Sequence, residues 1–196
     1  MRDIIIPVDF SETSLNAARY GAAMLSGKAN TRVILYTMYR DDEDEAISEQ
    51  YLQSLKAEME QNGVSTIETV KELGDDLIDN LGRLAHQKTA ELIIMGITEK
   101  EEWRQFFTTS NTLKMAEENV CPVMIIPPNA KFSGINNISL ASDFKDVDAT
   151  PALAIKTILE IFNAQLHIVN VDNEHYVALT EDYLSERAKM QKMFAE

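Results

Sequence analysis

The run Ile4-Ile5-Ile6-Pro7-Val8 is apolar without interruption and stops at Asp9. A strand with one wet face alternates apolar and polar residues, whereas a continuous run needs cover on both faces, as a parallel sheet flanked by helices provides. The form returns later in the chain: Ile138-Ser139-Leu140-Ala141-Ser142-Asp143-Phe144 repeats residues 4–10, with the Asp-Phe pair in register at an offset of 134 residues. An internal repeat of this length restricts the fold to architectures that can begin twice in one chain.

The stretch between the two copies alternates in type. Asp9-Phe10-Ser11-Glu12-Thr13-Ser14 offers several helix N-caps, and Leu15, Ala18, Ala22 and Leu25 recur at helical spacing until Gly27. Residues 33–38 read as a second strand. The acids Asp41-Asp42-Glu43-Asp44-Glu45 lead into a helix of about five turns, with Ile47, Tyr51, Leu55 and Met59 expected on its inward face and Asn62-Gly63 at its end. A third strand is predicted over 64–70, a helix over 75–86 with Leu77, Ile78, Leu81 and Leu84 inward, a fourth strand over 92–96, a short helix over 110–118 and a fifth strand over 122–126. Strands alternating with helices predict a doubly wound α/β sheet.

Residues 127–134, with Pro127, Pro128 and Gly134, lack periodicity and read as a linker. Beyond it come a strand over 138–144, a helix over 150–162, a strand over 163–171 that matches 30–38 at an offset of 133, and a helix over 181–194. The expected division is therefore a complete domain over 1–131 and a partial second copy over 132–196.

The formal net charge is −14 over 196 residues. A field of that sign repels phosphate backbones and anionic lipid, so neither a nucleic acid nor a membrane surface is an expected partner. The single cysteine, Cys121, forms no intrachain disulfide, the start is interrupted by Asp3 and Pro7, and no stretch approaches the roughly 18–20 apolar residues of a membrane span. A cytoplasmic setting is expected. His86, His167 and His175 are scattered over different segments, and the acids at 41–45 lack calcium-loop spacing, so no metal site and no catalytic residue is expected.

On these residues the chain resembles the universal stress protein family in its tandem form. The resemblance is carried by Ile6-Pro7-Val8-Asp9-Phe10-Ser11-Glu12-Thr13-Ser14, by Ile93-Ile94-Met95-Gly96, and by Ser110-Asn111-Thr112 with Val120-Cys121-Pro122-Val123. It covers about 1–127 in full and 136–196 in part. The resemblance implies a five-stranded parallel sheet in the order 3-2-1-4-5, of the adenine nucleotide alpha hydrolase-like kind, with any ligand where the strand order reverses. The crevice residues it implies are Pro7, Val8 and Asp9, Met38, Met95 and Gly96, then Thr98, Thr109, Ser110, Asn111 and Thr112. Asp9 has two readings, a contact to adenosine or a turn and helix-cap acid. Met38 reads as core filling.

ATP-binding members of the family follow Gly, two residues, Gly, nine residues, Gly, then Ser or Thr. Here Gly96 and Ser110 keep their places, but Glu99 and Thr109 stand at the second and third glycines. A carboxylate beside a phosphate is repulsive by about 1–4 kcal/mol per close charge pair. Lys100 and Arg104 compensate in part, and Trp103, Phe106 and Phe107 crowd the same loop. No cofactor is expected, and ATP with Mg is disfavoured by Glu99 and Thr109. The function implied is that of a non-enzymatic stress-response regulator working through association, the alternative being an ATP-binding regulator with at most slow hydrolysis. The apolar edge strand Val123–Ile126 is expected to pair two chains into a homodimer, beside an unknown protein partner.

Overall fold

The structure, a computed structural model, describes residues 1–97, 109–170 and 181–195. The chain divides into two compact units, Met1–Phe132 and Ser133–Glu196.

The first unit is built from β1 (Arg2–Pro7), α1 (Glu12–Leu25), β2 (Thr31–Tyr39), α2 (Asp42–Gln61), β3 (Ile67–Leu73), α3 (Leu77–Lys88), β4 (Leu92–Gly96), α4 (Thr109–Glu117) and β5 (Val123–Ile126). All neighbouring strands are parallel and lie in the order β3-β2-β1-β4-β5. The order reverses beside β1, which pairs through Ile4 with Val33 on one side and with Leu92 on the other. Because successive strand residues point to opposite faces, the apolar runs feed two layers. Ile5, Ile34, Tyr36, Ile93 and Met95 pack with Leu77, Leu81 and Leu84 of α3 and Met115 of α4. On the opposite face, Gly21 of α1 lies so close to Ile6 that an added Cβ would meet its Cδ1 at 2.8 Å. Ile5, Ile6, Ile34, Leu35, Ile93 and Ile94 have no exposure. Each such side chain contributes about 1.5–3 kcal/mol through burial.

Short polar side chains start the helices. Ser11 accepts from the Ser14 N–H, Asp41 from those of Glu43 and Asp44, and Asp76 from those of Ile78 and Asp79. The acids of the α2 first turn sit where the helix dipole favours negative charge. Gly27, at φ 73°, occupies the left-handed region just beyond α1.

One buried face and several boundaries differ from the expectation. On α2 the inward stripe is Ser48, Leu52, Leu55 and Met59, while Ile47 and Tyr51 are 49% and 55% exposed. Both stripes have helical spacing and share their last two residues; the sheet selects the one containing Leu52, which has no exposure. The third strand starts at Ile67 because Val64 closes the α2 end instead, donating its N–H to Met59 O at 3.1 Å. The third helix starts later than residue 75 because Asp76 is its cap.

The second unit contains β6 (Asn137–Ala141), a 3-10 turn (Val147–Ala149), α5 (Ala152–Phe162), β7 (Gln165–Val169) and α6 (Glu181–Met193), with β6 and β7 parallel. Phe144, Val147 and Met190 form its buried core, joined by Leu140, Ile168 and Tyr183. The helix expected from residue 150 begins only after Pro151, and no residue of α5 is fully buried. Among the described residues no helix is long and apolar enough to cross a membrane.

Candidate functional site

The C-terminal ends of β1 and β2 are pinned together. The Val8 N–H donates to Tyr36 O at 2.8 Å, and the Thr37 hydroxyl donates back to Val8 O at 2.8 Å. Asp9 then turns the chain into α1: its Oδ1 accepts the Ser11 N–H at 3.0 Å, and its own N–H donates to the Ser14 hydroxyl at 3.3 Å. Between them Phe10 adopts φ 62°, the left-handed region. A non-glycine residue pays for that conformation, and here the two Asp9 hydrogen bonds over-determine it.

Beside this turn lies a cavity of about 520 Å³, bounded by the ends of β1 and β2 and the first turns of α2. Its walls include Phe10, Met38, Tyr39, Ile47 and Tyr51, and its polar lining includes Asp9, Arg40, Asp41 and Asp44. The rings of Phe10 and Tyr51 pack at a centroid distance of 5.2 Å and a tilt of 34°. The cavity is a half-open concavity of mixed lining, with four charged side chains beside the apolar and aromatic ones.

The sequence-derived crevice residues separate in space. Asp9 and Met38 line the cavity. Met38 is only 5% exposed, and the Asn80 side-chain amide donates to its Sδ at 3.6 Å. Pro7, Val8, Met95, Gly96 and Thr112 are buried. The Thr112 hydroxyl is spent on Gly96 O at 3.1 Å. A Cβ on Gly96 would stand 2.5 Å from Thr13 O, so close packing of α1 accounts for this glycine. Asn111 lines a different concavity, of about 420 Å³, with Asp75, Asp76 and Lys114. Thr109 and Ser110 are the first residues of α4. Thr98, Glu99, Lys100, Trp103, Arg104, Phe106, Phe107 and His175 lie outside the described residues.

Phe10, Tyr39, Arg40, Ile47 and Tyr51 join the site without having been singled out as site residues. The available signal was the pair Ile47 and Tyr51, one helical turn apart and beside an already sufficient inward stripe. Elsewhere, desolvation pushes the Cys121 thiol up to about 11, which keeps it protonated and unreactive near neutrality. His86 is exposed on α3, and His167 of the second unit meets Asn137 Oδ1 at 2.9 Å. Among the described residues no three His, Cys, Asp or Glu side chains are grouped to hold a metal ion.

A doubly wound parallel sheet in the order β3-β2-β1-β4-β5 defines the class, an open α/β fold; its cavity lies at the carboxyl ends of β1 and β2, on the far side of β1 from β4, and no described β4 residue lines it. The chain belongs to the universal stress protein family, whose model matches residues 1–127. Solved structures agree in fold. A universal stress protein in complex with cAMP is 17% identical, with a TM-score of 0.55 over 65% of this chain and 98% of its own. The universal stress protein from Archaeoglobus fulgidus in complex with dAMP is 18% identical, with a TM-score of 0.53 over 64% and 98%. A putative universal stress protein from Pseudomonas aeruginosa UCBPP-PA14 is 16% identical, with a TM-score of 0.63 over 100% of this chain and 71% of its own. No curated protein matches the sequence.

Proposed function

We propose that the protein is a non-enzymatic, cytoplasmic stress-response regulator that works through association, with a crevice unsuited to a nucleoside triphosphate. The observation that carries this reading is the charge of the cavity lining, where, among the described residues, Asp41 and Asp44 join Asp9 beside one guanidinium, Arg40, two acids beyond the one that the resemblance assigns to adenosine. In the loop that follows β4, the sequence adds Glu99 at a position where ATP-binding members have glycine. Each close carboxylate opposes a triphosphate, and the net charge of −14 lowers the local concentration of any polyanion. Association draws support from β5, an apolar strand at the edge of the sheet with its outer hydrogen-bonding groups unpaired by any other described strand. A homodimer through Val123–Ile126 satisfies that edge.

Calorimetry with millimolar ATP-Mg tests the reading. A ligand present at 100 times its dissociation constant stabilises the fold by about 2.7 kcal/mol, which a melting curve resolves. The expected result is no saturable heat and no shift; saturable binding refutes the proposal. The alternative, a nucleotide-binding regulator with at most slow ATP hydrolysis, draws on the aromatic wall of the cavity and on the cAMP and dAMP found with two proteins of the same fold.

A further inference from the structure

The cavity at the ends of β1 and β2 is walled by apolar groups that packing does not require. Ile47 and Tyr51 remain 49% and 55% exposed although the adjacent stripe of α2 already fills the interface with the sheet. Phe10 is held against Tyr51 by the left-handed turn that Asp9 secures. Exposed aromatic faces attract cations through their quadrupoles, most strongly where water is partly excluded.

The charged lining agrees in sign. Among the described residues that line it, the carboxylates are Asp9, Asp41 and Asp44 and the cation is Arg40. Backbone N–H groups fix two of these carboxylates: Ser11 donates to Asp9 Oδ1, and Glu43 and Asp44 donate to Asp41 Oδ1. Such hydrogen bonds orient a carboxylate without cancelling its charge. A protonated amine in this cavity is attracted by these carboxylates, and an apolar body has Phe10, Ile47 and Tyr51 to pack against. About 520 Å³ matches the size of small-molecule sites.

We propose that this cavity binds a small organic cation, a protonated amine carried on an aromatic or alkyl body. The inference rests on the reading that the crevice does not serve a nucleoside triphosphate, and it names what the same site takes instead.

Titration calorimetry of the full chain with tryptamine, phenethylamine, histamine and agmatine tests it, with tryptophol, the neutral alcohol counterpart of tryptamine, as control. The expected result is saturable binding of at least one amine, and binding of tryptamine at least about tenfold tighter than tryptophol if tryptamine is that amine. Asp44→Asn and Tyr51→Ala, both at exposed positions, are each expected to weaken the amine at least about threefold while the chain stays folded, with a small fall in melting temperature from the lost first-turn charge or the lost ring contact with Phe10. The absence of binding by all four amines overturns the inference. Equal affinity for tryptamine and tryptophol also overturns it, as does indifference to both substitutions. ATP-Mg titrated in parallel separates the two readings: if neither ATP nor any amine binds, this inference fails and the proposed function stands. If ATP binds, the proposed function fails.

Discussion

Gly96→Ala isolates the reason for the glycine at the end of β4. Gly96 is absent from the residues at positive φ, so alanine is not excluded by the backbone. Space excludes it: the new Cβ would stand 2.5 Å from Thr13 O, 2.7 Å from Thr13 Cγ2 and 2.9 Å from Thr13 C, against about 3.4–4 Å for ordinary contact. The start of α1 must therefore retreat by close to about 1 Å, although Ser11 caps it and the Ser14 hydroxyl ties it to Asp9. Overpacking of this kind costs about 1–3 kcal/mol, and the smaller backbone entropy of unfolded alanine returns about 0.4–1 kcal/mol. A net loss of about 1–2 kcal/mol is expected, or a fall in melting temperature of roughly 3–10 °C for a unit of this size. Urea unfolding followed by circular dichroism measures it. Thr13→Ala in the same background removes Cγ2 but leaves the nearer carbonyl oxygen, so it should recover less than half of the loss. A loss below about 0.5 kcal/mol, or full recovery with Thr13→Ala, refutes the packing argument.

Three further outcomes follow from the same structure. Leu81→Ala empties a site with no exposure between α3 and the sheet and should cost about 2–5 kcal/mol in urea unfolding, with a smaller loss meaning that the layer collapses around the gap. Cys121, its thiol pushed up to about 11 by burial, should react slowly with a disulfide reagent near pH 8 and faster toward pH 11. The folded state keeps a proton there that the unfolded chain loses near pH 8.5, so stability falls across that interval and is unaffected below it. Ile125→Lys, placed on the edge strand β5, should convert the proposed dimer to monomer in sedimentation at high concentration, and a wild-type chain that already sediments as a monomer removes the dimer altogether.

That the sheet is parallel and covered on both faces was legible because unbroken apolar runs such as 4–8 and 92–96 fit the doubly covered interior of such a sheet, whereas its order came from the family resemblance. The rotation of α2 was not legible. Ile47-Tyr51-Leu55-Met59 and Ser48-Leu52-Leu55-Met59 have nearly the same period, and hydrophobicity alone favours the first; the choice depends on what β2 and β3 present to the helix. That single ambiguity hid the aromatic wall of the cavity, since a Tyr51 assigned to the core is not sought at a site. Asp9 presented the opposite case. Its turn role was legible from Asp-Phe-Ser ahead of a helix, and the structure shows that role without withdrawing the residue from the cavity.

The two copies of the opening motif agree in the turn and disagree in the sheet. Asp143 Oδ1 accepts the Lys145 N–H at 3.1 Å and Phe144 adopts φ 55°, reproducing what Asp9, Ser11 and Phe10 do in the first unit. The hydrogen bond to Lys145, first among the causes, holds the Asp143 carboxyl below its ordinary range. Ile5, Ile34 and Tyr36, which meet α3 and α4, correspond at offsets of 134 and 133 residues to Ser139, His167 and Val169, all exposed. Ser139 pairs with His167 as Ile5 pairs with Ile34, so the correspondence holds in register as well as in sequence. On the other face Leu140 and Ile168 keep their apolar character and pack with Phe144, Val147 and Met190. A sheet that is apolar on one side only requires one helical layer, whereas the first unit, apolar on both, requires two. Among the described residues, the β6–β7 face carrying Ser139 and His167 is polar where the first unit has Ile5 and Ile34, and Val169, 41% exposed, is its apolar exception.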